Sequence, residues 1–416
     1  MIPKLDDYKR KWNVESDLSI KPGLEAIKAA LTALHHPQDQ LQVVHIAGTN
    51  GKGSTLTFIE QIAKNHGLTV GKFMSPCIVD VHDQIQINGE PITNKEMDKI
   101  FQQLSLSGLS GKLTDFELLT CIAFLYFAKK KVDLVLLEAG MGGREDSTNV
   151  VTPLLSIIPS IALDHTKFLG PTIQSIAKHK AGIIKQSRPV VIGRLSEEAL
   201  IVVKNEAENK SAPVLALGEH FDVATVGEED VYRNKEQGLE IPHLTRLLPG
   251  KHQADNMALA ITAFIKIAQH FRIPLEIGKI QQGVKSAQLP GRFEEVMPNV
   301  YFDGAHNPAS ANALVQTIRS QFPNDPVRFV IGMLADKDVD SVLQLLEQVS
   351  DEFYFVDFPN ERAMKAEDIC KLSNASKKVI LTDPVSFIQN ATNEPIKTFV
   401  TGSLYLLGII RELLTR

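Results

Sequence analysis

The sequence predicts an α/β protein: a P-loop domain with a mostly parallel sheet, followed by a smaller, Rossmann-like α/β domain. Three observations carry this. Residues 43–47 form an apolar run that leads into Gly48-Thr49-Asn50-Gly51-Lys52-Gly53-Ser54, and Leu56, Ile59, Ile62 and Ala63 follow at helical spacing, so the stretch reads strand, loop, helix. The runs 132–137 and 154–159 suit buried strands, and the first ends in Glu138-Ala139-Gly140-Met141-Gly142-Gly143-Arg144, acid and glycines where open α/β sheets bind ligands. Beyond Leu289-Pro290-Gly291-Arg292 and Pro298, strand candidates at 300–303, 327–331, 353–356, 379–381 and 398–400 alternate with helical segments. The expected domains are therefore 1–293 and 299–416, with 294–298 as the linker.

The glycine-rich loop suits polyphosphate. Glycines let the backbone approach closely, exposed N–H groups at a helix start attract anions, and a lysine meets the outer phosphates. Candidate nucleotide contacts are Asn50, Gly51, Lys52, Gly53 and Ser54, the last with a hydroxyl suited to Mg²⁺. The loop is a variant: Gly48 and Gly51 are closer together than in G-x-x-x-x-G-K-[ST], and Gly53 separates Lys52 from Ser54.

The chain has 416 residues, 44% hydrophobic and 22% charged, with a formal net charge of -5, and it shows no polybasic footprint for nucleic acid or anionic lipid. Anion binding must be local. Cys77, Cys121 and Cys370 are far apart with no C-x-x-C, which argues against a disulfide framework or a thiolate zinc site. No apolar run reaches membrane-spanning length and the N-terminus lacks the apolar core of a signal peptide, so a cytoplasmic location is expected.

Ahead of the loop, Leu24, Ile27, Leu31 and Leu34 make a helical stripe closed by Pro37. After it, 69–74 suits a short strand, and Ser75-Pro76 opens an irregular stretch up to Pro91. Residues 116–127 suit a strongly apolar helix. Ala162-Leu163-Asp164-His165 follows the 154–159 strand, and 171–184 should be helical with Lys178, His179 and Lys180 near its end. Residues 218–242 are polar and poorly periodic, a loop or small excursion. An alanine-rich helix then carries Asn256. No internal repeat is present.

The P-loop, Glu138–Arg144, Asp164-His165, Lys180-Ala181-Gly182-Ile183-Ile184-Lys185, Leu289-Pro290-Gly291-Arg292 and Asp303-Gly304-Ala305-His306-Asn307-Pro308 together closely resemble the folylpolyglutamate synthase/dihydrofolate synthase family of the Mur ligase superfamily. The resemblance runs from about residue 20 to Tyr405 with the motifs in the same order. It implies a Mur-ligase-type P-loop domain binding ATP and folate, and a glutamate ligase domain after it. The implied reaction joins L-glutamate to a folate, to dihydropteroate or to both: a carboxylate takes the γ-phosphoryl group of ATP, and the glutamate amine then displaces phosphate. A poor acyl acceptor is thereby activated, and cations must offset the repulsion between ATP and carboxylate.

By the same resemblance Ser75 and Glu138 bind a first Mg²⁺ with Ser54 nearby, and His165 with Glu138 binds a second, completed by Lys180 as a carbamate formed with CO₂. The alternatives in the residues themselves are a capping acid, a satisfied core histidine and an exposed helix lysine. His179 stands where relatives usually carry an acid. Asn256 matches a contact on the adenine side, Arg292 one toward the phosphates and Asp303 one from the second domain, with His306 close to the γ-phosphate. Lys52, Lys180 and His306 are the expected catalytic residues. Thr114, Asp115, Phe116 and Glu117, with Glu145, Asp146 and Ser147, match positions that hold pteroate, where Phe116 would stack on the ring. Cys77 and Asp83-Gln84 depart from the family's usual residues. Lys337 and Ser403 are candidates for incoming glutamate, and catalysis would need the two domains to close, with 289–298 as the hinge.

Two alternatives remain. Another Mur-type amide ligase fits the motifs, although a muramyl-peptide ligase carries a further domain ahead of its P-loop, where only residues 1–47 stand here. A non-catalytic nucleotide-binding scaffold predicts ATP binding without glutamate-dependent phosphate release. The partners expected are small molecules, without nucleic acid or membrane, and a monomer.

Overall fold

A computed structural model of the chain describes residues 2–19 and 21–415. By compactness they fall into two units, Met1–Leu247 with Ala254–Ala287, and Leu248–Gln253 with Gln288–Arg416.

The first unit is built on an eight-stranded sheet: β1 (Val43–Ile46), β2 (Val70–Phe73), β3 (Ile85–Ile87), β4 (Glu90–Pro91), β5 (Leu134–Glu138), β6 (Leu155–Ile158), β7 (Val190–Ile192) and β8 (Val214–Ala216). The order is β4-β3-β2-β5-β1-β6-β7-β8, and β2, β5, β1, β6, β7 and β8 are all parallel. Parallel neighbours need helical crossovers. Helices α1 (Leu5–Trp12) and α2 (Glu25–Ala33) precede the sheet, and α3 (Lys52–Asn65), α4 (Asn94–Ser105), α5 (Asp115–Lys130), α6 (Thr166–Leu169), α7 (Ile173–Ala181) and α8 (Glu197–Asn209) connect its strands. The stretch expected to be irregular after Ser75 instead folds back as β3 and β4, an antiparallel edge.

Residues 218–242 are likewise more ordered than expected. They form an antiparallel sheet of β9 (Phe221–Val226), β10 (Glu229–Asn234) and β11 (Leu239–Leu244). Polarity hid the strand period: Asp230 points inward, 1% exposed, and bonds Arg246 Nε at 2.5 Å and Thr225 Oγ1 at 2.6 Å. Helices α9 (Lys251–Phe271) and α10 (Ile277–Ser286) follow. Gly283 lets α10 lie on α3, since a Cβ there would come within 2.7 Å of the Ile62 backbone.

The second unit holds β12 (Glu294–Met297), β13 (Val300–Asp303), β14 (Val327–Ile331), β15 (Glu352–Phe355), β16 (Lys377–Ile380) and β17 (Lys397–Thr401), ordered β12-β13-β17-β14-β15-β16. Its helices are α11 (Pro308–Gln321), α12 (Val339–Leu346), α13 (Ala366–Leu372), α14 (Pro384–Ala391) and α15 (Leu404–Leu414). Residues 294–298, expected as a linker, are instead largely β12, paired antiparallel to β13, and the division falls between Ala287 and Gln288. Two prolines and a glycine disguised a strand that pairs only along one side. Phe329 and Ile331 join one apolar cluster while Val330 joins another, so alternate residues bury both faces of this sheet. Among the described residues no helix is long and apolar enough to cross a membrane.

Candidate active site

In the first unit, strand register decides which loops meet. Ile46 pairs with Glu138, Val44 with Leu155 and Phe73 with Leu137, so the loops after β1, β2, β5 and β6 leave one edge side by side. The loop after β1 is tied to the one after β6. Thr49 N donates to Ser160 O at 2.9 Å, and Asn50 N to Ser160 Oγ at 3.0 Å. Thr49 Oγ1 donates to Ala162 O at 3.1 Å and accepts from Ala162 N at 3.0 Å. These amides are spent on the scaffold, which leaves the first turn of α3 to meet an anion. Gly51, at φ 85°, starts that helix in a conformation costly for any other residue.

Lys52 Nζ donates to Gly48 O at 2.9 Å and Thr49 O at 3.3 Å, and lies 3.6 Å from Glu138 Oε1. Glu138 is 5% exposed at the end of β5, and an ammonium beside it offsets the cost of burying its charge. Ser54 is buried in the first turn of α3, and Thr55 Oγ1 donates to Gly51 O at 2.8 Å. Asn256 comes to the same helix start: its Oδ1 lies 3.5 Å from Thr55 Oγ1, and a Cβ on Gly51 would sit 2.4 Å from it. Asn256 is thus placed at the base of the loop.

Ser75, half-buried, leaves β2 two residues past Phe73. His165, in the loop after β6, has φ 51°, and its amide donates to Asp164 Oδ1 at 2.8 Å. Lys180 is 4% exposed in the last turn of α7. That turn is held against the loop after β5: Arg144 N donates to His179 O at 2.7 Å, and a Cβ on Gly143 would lie 2.8 Å from His179 O and 3.1 Å from Lys180 O. Among the described residues no three His, Cys, Asp or Glu side chains gather as a metal cage. A single buried carboxylate and a helix-start hydroxyl next to a phosphate loop suit Mg²⁺, which takes one or two carboxylates and completes its shell with phosphates and water.

The pteroate candidates divide by what their polar atoms do. Thr114 and Glu117 close a capping box on α5: Thr114 N and Oγ1 each donate to Glu117 Oε2 at 2.8 Å, and Glu117 N donates to Thr114 Oγ1 at 3.3 Å. Asp115 accepts from Lys9 Nζ at 3.0 Å and Ser16 Oγ at 2.5 Å. Asp146 accepts from Met141 N at 2.8 Å and Thr148 N at 3.0 Å, Ser147 Oγ meets Thr120 Oγ1 at 2.9 Å, and Glu145 is exposed. Phe116 differs. Half-buried, it stacks on Phe73 with ring centroids 5.7 Å apart and lies over Gly140, where a Cβ would be 2.6 Å from the ring. It presents an aromatic face at the edge where β2 and β5 end.

In the second unit, Asp303 pairs with Thr401 and Ile331 with Thr401, so the loops after β13, β17 and β14 are neighbours. Asp303 accepts from Phe293 N and Ala305 N, both at 2.9 Å. Burial pushes its carboxyl up, against the Arg292 charge and these two amides. Arg292 Nη1 donates to Gly291 O at 3.0 Å, and a Cβ on Gly304 would lie 2.4 Å from that nitrogen. His306 donates from Nδ1 to Gly304 O at 2.8 Å, which fixes its ring. Ser403 caps α15 by accepting from Tyr405 N at 3.2 Å. Lys337 is half-buried beside Asp336, whose carboxyl the Arg362 fork holds low against burial, with contacts of 3.1 and 2.7 Å.

In the first unit, Ser160 and Phe73 serve the edge without having been expected there, and Thr49, inside the expected loop, bonds the loop after β6. Thr49 was legible, since a hydroxyl inside a glycine loop must bond something; Ser160 and Phe73 carried no signal without the register.

Sequence and structure comparisons agree with a P-loop ligase. The model of the Mur ligase middle domain matches residues 46–264 and that of the Mur ligase glutamate ligase domain residues 291–397. The chain is therefore a Mur ligase. It is 37% identical to a dihydrofolate synthase/folylpolyglutamate synthase of Bacillus subtilis, covering 94% of this chain and 95% of that one. It is 34% identical to a folylpolyglutamate synthase of Lacticaseibacillus casei, covering 93% of each. The E. coli FolC structure in complex with DHPP and ADP superposes with a TM-score of 0.88 at 29% identity, covering 99% of this chain and 98% of that one. Within the Mur ligases, the chain belongs to the dihydrofolate synthase/folylpolyglutamate synthase family.

Proposed function

We propose that the chain joins L-glutamate to a folate, to dihydropteroate, or to both, at the expense of ATP. The observation that carries this is the buried Glu138 carboxylate 3.6 Å from the Lys52 ammonium at the mouth of a phosphate loop. A carboxylate oxygen of the acceptor attacks the γ-phosphorus, the bond to the β-phosphate oxygen breaks and ADP leaves. The glutamate nitrogen then attacks the acyl carbon, a proton is lost, and phosphate departs with the acyl oxygen. Lys52 and the first turn of α3 hold the triphosphate, and Arg292, Asp303 and His306 are further candidate nucleotide contacts. Phe116 supplies the stacking face for the pterin, and Thr114, Asp115 and Glu117 at the start of α5, with Glu145, Asp146 and Ser147, hold the rest of the pteroate group. Lys337 and Ser403 meet the incoming glutamate.

Ser54, Ser75, Glu138, His165 and Lys180 would hold two Mg²⁺. Bound there, the ions supply charge neutralisation and Lewis acidity at the phosphoryl group. Lys180 reaches that role as a carbamate: its neutral amine adds to CO₂, an N–C bond forms and a proton is released. Its burial supports this, because at 4% exposure a carbamate there would be shielded from bulk water. The protein acts as a cytoplasmic monomer on small molecules, not on nucleic acid or membrane. Phosphate release in ATP, Mg²⁺ and glutamate, measured with dihydropteroate and with tetrahydrofolate separately, tests the reading: acceptor-dependent release with at least one is expected, and nucleotide binding without release would leave only a scaffold.

A further inference from the structure

His45 is the one polar residue in β1, a strand whose four residues are all buried, and it stands three positions ahead of the phosphate loop. Its Nε2 lies 2.9 Å from Thr148 Oγ1. Thr148 Oγ1 in turn donates to Asp146 Oδ1 at 2.5 Å, and Asp146 Oδ2 accepts from Met141 N at 2.8 Å. This chain links the strand under the phosphate loop to the glycine loop that begins directly after Glu138. The same loop holds the end of α7 through Arg144, and Asn149 extends the hold, its Nδ2 donating to Arg144 O at 2.9 Å and Gly182 O at 3.1 Å.

The direction of the chain follows from the acid. Burial pushes the Asp146 carboxyl up, but both of its oxygens face donors, Oδ1 the Thr148 amide at 3.0 Å and Oδ2 the Met141 amide at 2.8 Å, an arrangement that suits the carboxylate. With a carboxylate there, Thr148 gives it the hydroxyl proton and must accept from His45, which therefore carries its proton on Nε2. Nδ1 is then the buried ring atom without a partner. An orphan acceptor is less costly than an orphan donor, so the opposite tautomer is the poorer choice. Burial, with the Lys185 charge, lowers the pKa of His45 to about 3 and keeps it neutral.

We infer that His45, Thr148 and Asp146 form a positioning relay, outside the reacting atoms, that fixes Glu138 and the end of α7 carrying Lys180 relative to the phosphate loop. The inference rests on the ligase reading for its kinetic test and stands apart from it in its spectroscopic one. Thr148→Val removes the middle hydroxyl at constant shape and should lower kcat about 10- to 100-fold with the KM for ATP nearly unchanged, since small misplacements of reacting groups are costly. Thr148→Ser and His45→Gln, which keep a hydroxyl and an N–H in place, should recover most of it. A kcat for Thr148→Val within about twofold of the native value, or equal losses in Thr148→Val and Thr148→Ser, would overturn the relay. Independently of activity, ¹⁵N-histidine spectra of the native chain should show His45 protonated on Nε2 and unchanged from pH 8 to 5. A proton on Nδ1 would overturn the assignment even if ligation were confirmed.

Discussion

The two units each gather their candidate residues at the C-terminal edge of a parallel sheet, but they do so differently. In the first, Lys52, Ser75, Glu138 and His165 are spread over more than a hundred residues of sequence and lie on loops made neighbours by register between β1, β2, β5 and β6, with Lys180 at the end of α7. In the second, Arg292, Asp303 and His306 come from one hairpin-like stretch, tied by amides of Phe293 and Ala305. A dispersed site depends on the whole sheet, whereas a local one is largely set by its own turn. Losses in the first unit should accordingly be larger and harder to compensate.

The greatest loss is expected from Lys180→Ala, which should cut turnover by at least about 100-fold while nucleotide binding, measured by titration calorimetry, persists. Native turnover unaffected by removing bicarbonate would end the carbamate proposal. In the second unit, Asp303→Asn should cost less, about tenfold in kcat/KM for ATP, because its amide oxygen still accepts from one of the Phe293 and Ala305 N–H groups and the β12–β13 pairing holds the turn. An Asp303→Asn loss equal to that of Lys180→Ala would erase the contrast.

Smaller and more selective is Gly140→Ala. Its methyl group meets the Phe116 ring, so the KM for the folate acceptor should rise several-fold with the KM for ATP unchanged. The smallest effect lies outside both edges, in Asp80. Burial raises its pKa, but bonds from His82 Nδ1 at 2.6 Å and Lys4 Nζ at 2.5 Å outweigh it and hold the carboxyl well below its usual range. A depressed carboxyl contributes stability above the unfolded value of about 4 and loses it as pH falls below that. The Tm of the native chain should therefore drop more steeply between pH 5 and 3 than that of Asp80→Asn, by a few degrees.

Much of this was legible in sequence because it is local. A P-loop needs its glycines and lysine in one short run, and an acid closing an apolar strand marks a ligand edge wherever the strand lies. What the one-dimensional reading did not supply is the set of protein partners: the oxygens of Thr114, Asp115, Glu117 and Asp146, expected near pteroate, bond helix starts, Lys9 and loop amides as well. Inward-facing Asp230 concealed a strand in the same way.

The chain by itself determined the phosphate loop, the buried strands and helices around it and the family, since these depend on spacing, hydropathy and motif within short windows. Only the tertiary structure decided that β5 lies between β2 and β1, and hence that Glu138 faces Lys52 and that His45 reaches Thr148. Such pairings join residues about a hundred positions apart, and nothing in local sequence specifies which distant strand will supply the neighbouring backbone.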